Sequence, residues 1–216
     1  MEPLDLREKN SSEEEVILSE TQKIPGEPSG FDKFKESFWE VFKIVFISLI
    51  IIVPIRLYVV QPFIVEGDSM VPNFHDGEYL IVDEISYRFN QPHRGDVIIF
   101  HPPQSPKNYY IKRIIGLPEE TIEFKDGSIY VYNKQWPQGQ LLDESGYLTQ
   151  SQIREDDSIT LKENEYYVIG DNRDNSLDSR RFGPIRDINI KGRAFIRAYP
   201  FSSFTTFKAQ GYNLSS

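Results

Sequence analysis

The chain has 216 residues, 39% hydrophobic and 26% charged, which suffices for one globular domain plus an appendage. Its net charge of -9 carries no footprint for nucleic acid, and the lack of cysteine excludes disulfides, thiolate-zinc sites and thiol catalysis. The three histidines, His75, His93 and His101, are scattered without ligand spacing, so neither a metal nor another cofactor is expected.

Residues 1–37 open as a flexible acidic tail. Glu13, Glu14 and Glu15 stand in a row, Pro25, Gly26, Pro28 and Gly30 punctuate it, and it holds too little apolar surface to fold alone. Residues 38–61 then read as a single transmembrane helix. The uncharged run from Ile44 to Ile55 is only 12 residues, a length that also suits an interior core helix. Lys43 and Arg56 flank that run and can snorkel, so residues 41–61 cross about 30 Å at roughly 1.5 Å per residue. Trp39 and Tyr58 fall at the two interfaces, and Pro54 is expected to kink or end the helix. A cleaved leader fits less well, because the preceding region is long and acidic and no Ala-x-Ala follows. Charge does not set the orientation: Lys33, Lys35 and Lys43 precede the span, and Arg56, Arg88 and Arg94 follow it.

Residues 62–216 change to short β-type runs: YLIVDEI (79–85), DVIIF (96–100), YYIKRIIGL (109–117), TIEF (121–124), SIYVY (128–132), YYVIG (166–170) and GRAFIRAYP (192–200). Turn residues separate them, and Lys125-Asp126-Gly127-Ser128 has the composition of a tight hairpin. The fold class expected is mainly β, an antiparallel sheet domain behind one N-terminal transmembrane helix. Residues 133–160 are polar and read as a loop-like surface insertion.

Three segments carry residues suited to chemistry. Ser69 sits in Gly67-Asp68-Ser69-Met70, where a serine either caps a turn or presents an exposed hydroxyl. Lys112 lies within Tyr109–Ile115 and shares a strand face with Tyr110 and Ile114. Such a lysine either snorkels to water or is desolvated. A working base at pH 7 requires its pKa to fall from about 10.4 to near 7, a differential cost of about 5 kcal/mol that only burial supplies. The stretch 171–181 holds Asp171, Asn172, Arg173, Asp174, Ser176, Asp178, Ser179, Arg180 and Arg181. A calcium loop fails here, because counting from Asp174 the sixth position is Ser179 and the twelfth is Ile185. A salt-bridged loop fits better, with the Ser176 hydroxyl able to hold a neutral amine. A serine and a neutral lysine suffice for acyl transfer: the amine takes the hydroxyl proton and the oxygen attacks an amide.

In this order, GDSMVP, YYIKRIIGLP and GDNRDNSLDSR resemble the type I signal peptidases over about residues 40–205. The resemblance implies a serine endopeptidase, anchored by one helix, that removes signal peptides after small residues of Ala-x-Ala type. Ser69 matches the nucleophile, Lys112 the general base and Ser176 the serine that orients the lysine. Arg113, Asp171, Asp178 and Arg180 match supporting charges. Phe63, Val65, Met70, Phe74 and Tyr110 fall where the family builds shallow substrate pockets. The partners implied are preproteins bearing signal peptides, the lipid bilayer and the secretion translocon. The location implied is a plasma or thylakoid-type membrane, crossed once, with the catalytic domain on the trans side. Two departures stand out. Gly67 occupies a place where some members carry an oxyanion-hole serine, which leaves the Ser69 N–H as the first donor and the second unassigned. Asn73 replaces a common threonine, a change expected to be tolerated. The rival reading is a non-catalytic, membrane-tethered β module that binds extended peptides and needs neither Ser69 nor Lys112. A third is a peptidase dedicated to one substrate.

Overall fold

A computed structural model describes residues 30–58, 60–149, 153 and 156–207, with the backbone alone at 30–33, 36, 54–58 and 60. Residues 1–29 of the expected tail lie outside the described residues. The chain divides into two units, Met1–Ile50 and Ile51–Ser216.

Helix α1 runs from Gly30 to Tyr58, so it begins inside the expected tail and continues through Pro54. Its described large apolar side chains, from Phe34 to Val53, are all exposed. Among the described residues no helix is long and apolar enough to cross a membrane; the side chains at 54–58, which a full-length span includes, lie outside them.

The second unit is antiparallel β, as expected. Strands β1 (Val60–Ile64), β2 (Tyr79–Asp83), β3 (Val97–Phe100) and β4 (Tyr110–Gly116) belong to one large sheet, with a short helix α2 (Ser86–Phe89) after β2. Strands β5 (Thr121–Lys125), β6 (Ser128–Tyr132), β7 (Gln140–Leu141) and β8 (Asp157–Thr160) form a second sheet. The chain then returns to the large sheet through β9 (Glu165–Ile169), helix α3 (Ser179–Phe182), β10 (Ile185–Arg186), β11 (Ile190–Tyr199) and β12 (Thr205–Thr206). The order is β1-β2-β11-β3-β4-β9-β10, with β12 on β11, and β7-β6-β5-β8 in the smaller sheet.

Local pattern explains most of this. In β5 and β6, Ile122, Phe124, Ile129 and Val131 point to one buried face while Thr121, Glu123, Ser128 and Tyr130 alternate outward. β3 is buried at every position because β11 and β4 flank it. Between β5 and β6, Asp126 and Gly127 both have positive φ (52° and 76°), so the predicted hairpin closes on a two-residue turn with Lys125 opposite Ser128.

Two expectations need correction. β1 begins at Val60, so the last two residues of the expected helix, Val60 and Gln61, instead open an edge strand paired with β2. The short run VQPFI has no period of its own, and pairing with Tyr79–Asp83 decides it. Residues 133–160 are not merely a surface loop either. They supply β7 and β8 and bury Leu142, Tyr147, Leu148 and Ile153, together with Glu144.

The hairpin yields a quantitative expectation. Gly127→Ala forces a side chain into the positive-φ position and should lower stability by about 1 kcal/mol in urea unfolding while leaving peptidase activity unchanged.

Candidate active site

Three segments converge at one cleft, and topology explains why. β4 lies between β3 and β9, with Lys112 opposite Ile98 and Arg113 opposite Ile169. The chain leaving β9 at Gly170 therefore emerges beside Lys112. Ser69 comes from the loop joining β1 to β2, which closes on itself through Val65 N–H to Glu78 O and Gly77 N–H to Val65 O. Residues 68–74 form a short helical turn, with Val71 N–H on Asp68 O and Phe74 N–H on Met70 O. Asn172 ties that turn to the loop after β9: its N–H donates to Ser69 O at 3.1 Å and its side-chain amide to Asp68 O at 3.0 Å.

The result is close approach. Lys112 Nζ lies 2.7 Å from Ser69 Oγ and also donates to Ile111 O at 2.8 Å. Lys112 is 3% exposed. Burial pushes its pKa down from 10.5 to about 8, although the negative charges of Asp178 and Asp171 act to raise it. Each of those carboxylates is engaged by an arginine. Arg113 holds Asp171 with two parallel bonds, Nε to Oδ1 at 2.8 Å and Nη2 to Oδ2 at 2.7 Å. Arg180 holds Asp178 through Nε at 2.9 Å and Nη2 at 2.8 Å. Asp178 also accepts the Gly170 N–H at 3.0 Å. Its burial raises the carboxyl, but the Arg180 bonds and charge outweigh that and hold it below the usual carboxylate range. The nearby Ser176 hydroxyl adds to this without meeting hydrogen-bond geometry.

Ser176 Oγ is buried and without a hydrogen-bond partner, so it does not hold the Lys112 amine as the sequence suggested. It sits against Gly170 instead. A Cβ at position 170 would come 2.2 Å from Ser176 Oγ and 2.5 Å from Ser69 O, so only glycine lets the loop approach this closely.

The cleft has a volume of about 590 Å³ and is lined by Ser69, Lys112 and apolar walls. Of the five residues expected to shape it, Phe63, Val65 and Tyr110 line it. Met70 and Phe74 do not. Four residues apart in the helical turn, they share its inner side and pack with Val82 and Ala194 in the core, 0% and 1% exposed. The sequence reading overlooked Leu80, Ile99, Ile111 and Leu177, which add to the walls beside Ile64, Tyr109 and the polar Glu66, Lys107 and Asn108. Strand alternation puts Ile111, and Ile99 opposite it, on the face away from Lys112, so it did not flag them, and the contribution of Leu80 depends on the β1–β2 register. Of the candidate oxyanion donors, the Gly67 N–H is occupied by Asp76 Oδ1 at 2.7 Å. The Ser69 N–H has no protein acceptor among the described residues. Among those residues no cluster of His, Asp or Glu has metal-site geometry.

A family model for signal peptidase, peptidase S26, matches residues 38–199. The chain belongs to this family. Relatives include a probable signal peptidase I-2 from Synechocystis, 33% identical over 86% of this chain and 82% of that protein. Signal peptidase I V of Bacillus subtilis is 38% identical over 73% of this chain and 96% of its own length. A crystal structure of a signal peptidase I from Enterococcus faecalis V583 overlaps with a TM-score of 0.40 at 30% identity, covering 48% of this chain and 97% of that one. As a member of the signal peptidase family the protein is a serine endopeptidase, and the cleft holding Ser69 is its candidate active site.

Burying Lys112 has a consequence for stability with a definite sign. Below pH 8 the folded and unfolded states both hold the proton, and the folded state bears the desolvation cost. Between about 8 and 10.5 only the unfolded state stays protonated, so stability rises with pH through that window. Lys112→Met should therefore be more stable than the parent at pH 7 by about 2–3 kcal/mol, with the difference shrinking toward pH 10.5, as read from thermal melts.

Proposed function

We propose that this signal peptidase removes signal peptides from exported preproteins with Ser69 as nucleophile and Lys112 as general base. The observation that carries the proposal is the 2.7 Å contact between a serine hydroxyl and a buried lysine amine on the wall of an apolar cleft. In its neutral form the amine accepts the Ser69 proton while Oγ attacks the scissile carbonyl carbon. The carbonyl oxygen takes the negative charge, and the unengaged Ser69 N–H is the donor best suited to it. Lys112 then returns the proton to the leaving amine, which departs and leaves an acyl group on Ser69. Water, losing a proton to the Lys112 amine, attacks that ester, and Lys112 returns the proton to Ser69 Oγ as the acid product leaves. We assign the unpartnered Ser176 hydroxyl to the amine during turnover, as a group that steadies it once protonated. A pure binding module has no use for an amine buried at such cost.

The apolar walls from Phe63, Val65, Leu80 and Ile99 favour small side chains before the cut, on an extended peptide running beside edge strand β1. We further propose that α1 anchors the protein in a plasma or thylakoid-type membrane, with the catalytic domain on the trans side and the secretion translocon nearby. In support, the large apolar side chains of α1 between Phe34 and Val53 remain 43–68% exposed, on all sides of the helix. Extraction with alkaline carbonate should leave the protein with the membrane pellet, and release into the supernatant contradicts the anchor.

Purified protein in detergent should cleave a preprotein at one bond, with a new N-terminus following a small residue. Ser69→Ala and Lys112→Arg should each lose at least a thousandfold in kcat/KM while remaining folded, because arginine stays protonated. An acylating inhibitor should label Ser69. In the parent, kcat/KM should rise with pH as one proton is lost and level off above about 8. Full activity in either variant contradicts the dyad.

A further inference from the structure

The segment 144–147, inside the region that reads as a surface insertion, touches all three segments that build the cleft. The Tyr147 ring stacks on the Arg113 guanidinium, with the charge 4.0 Å from the ring centroid. Arg113 follows Lys112 on β4 and makes the two-bond clasp on Asp171. The Tyr147 carbonyl accepts from Asn73 Nδ2 at 2.9 Å, and the same amide donates to Asp171 Oδ2 at 2.9 Å. Asn73 belongs to the turn that carries Ser69. The Tyr147 hydroxyl donates to Glu144, whose carboxylate is buried against Arg173 at 2.9 Å. Arg173 in turn donates to Gly170 O at 3.1 Å, at the start of the Ser176 loop. Tyr147 is 8% exposed and Glu144 6% exposed, so this knot is sealed from water.

We propose that Tyr147 and Asn73 are positioning residues that clamp Arg113 onto Asp171 and thereby limit how strongly the Asp171 charge acts on the Lys112 amine. The proposal rests on the Ser69–Lys112 reading above. The charged groups that act on the amine are Asp178 and Asp171, whose carboxylates are held by Arg180 and Arg113; Glu66 and Lys107 line the same cleft, and the aromatic face of Tyr110 lies 5.5 Å from the amine. Asp178 has its own arginine and the Gly170 N–H, independent of Tyr147. Asp171 instead takes its hydrogen bonds from Arg113 and Asn73, the two groups that Tyr147 contacts, with the Arg173 charge also acting on it. Loosening either leaves more uncompensated negative charge beside the amine, which then keeps its proton to higher pH. The Ser69 hydroxyl has no base until the pH is raised. A polar segment is thus tied to catalysis through a ring and an amide that never meet the substrate.

The test is the pH profile of kcat/KM on a synthetic preprotein, for the full-length protein in detergent, with thermal melts alongside. Tyr147→Leu and Asn73→Ala should move the alkaline rise upward by about one pH unit. That is a loss of about tenfold at pH 7 that shrinks to within about twofold at pH 10. Tyr147→Phe keeps the ring over Arg113 and should keep the parental midpoint. If Tyr147→Leu does not fold, Asn73→Ala carries the same test alone. Unshifted midpoints, with activity lowered equally at every pH or only the melting temperature reduced, overturn the inference and make these residues structural. A parent profile with no rise through about 8 instead strikes the dyad itself, which separates the two failures.

Discussion

The chemistry of this molecule depends on keeping one amine out of water without surrounding it by uncompensated charge. Lys112 is 3% exposed and 2.7 Å from Ser69 Oγ. Desolvation alone lowers its pKa, and the two nearest carboxylates push the other way. Neither effect suffices by itself: a dry site with bare Asp171 and Asp178 would hold an ammonium ion, useless as a base. The arginines on those carboxylates make burial effective. At a pKa of about 8, roughly one amine in ten is neutral at pH 7, and a peptide filling the cleft removes further water.

The sheet topology follows this requirement. Lys112 stands on a strand flanked by β3 and β9, so its backbone is fixed by ladders on both sides. Ser69, in contrast, sits on a loop, and loops are placed only by what ties them down. Here the ties are Met70 and Phe74 packed into the core below, and Asn172 bonded to the carbonyls of Asp68 and Ser69 alongside. Gly170 permits the second tie by letting the loop after β9 lie against Ser69 O. The rigid strand supplies the base and the pinned loop supplies the nucleophile.

Much of the fold was legible in the sequence because alternation and turn chemistry agree. Ile122 and Phe124 against Thr121 and Glu123, then Asp126-Gly127, leave little choice but a hairpin. The failures have physical causes. β1 was hidden because a short apolar run next to a helix has no period of its own, and pairing with β2 decides its state. β7 and β8 are two and four residues long on the edges of the smaller sheet, too short to show alternation. Glu144 looks like a solvated charge in sequence, because burial of an acid depends on a distant Arg173. Motif order indicated Ser69 and Lys112 as partners, but it does not encode which way Met70 and Phe74 point from a turn, nor that Ser176 Oγ packs against Gly170.

The most direct measurement is the titration of the Lys112 amine itself, followed by NMR in protein carrying isotope-labelled lysine, with Lys112→Arg to assign the signal. The account predicts a midpoint near 8 in the free enzyme. A Lys112 midpoint near 10.5, the ordinary value for a lysine, would contradict it.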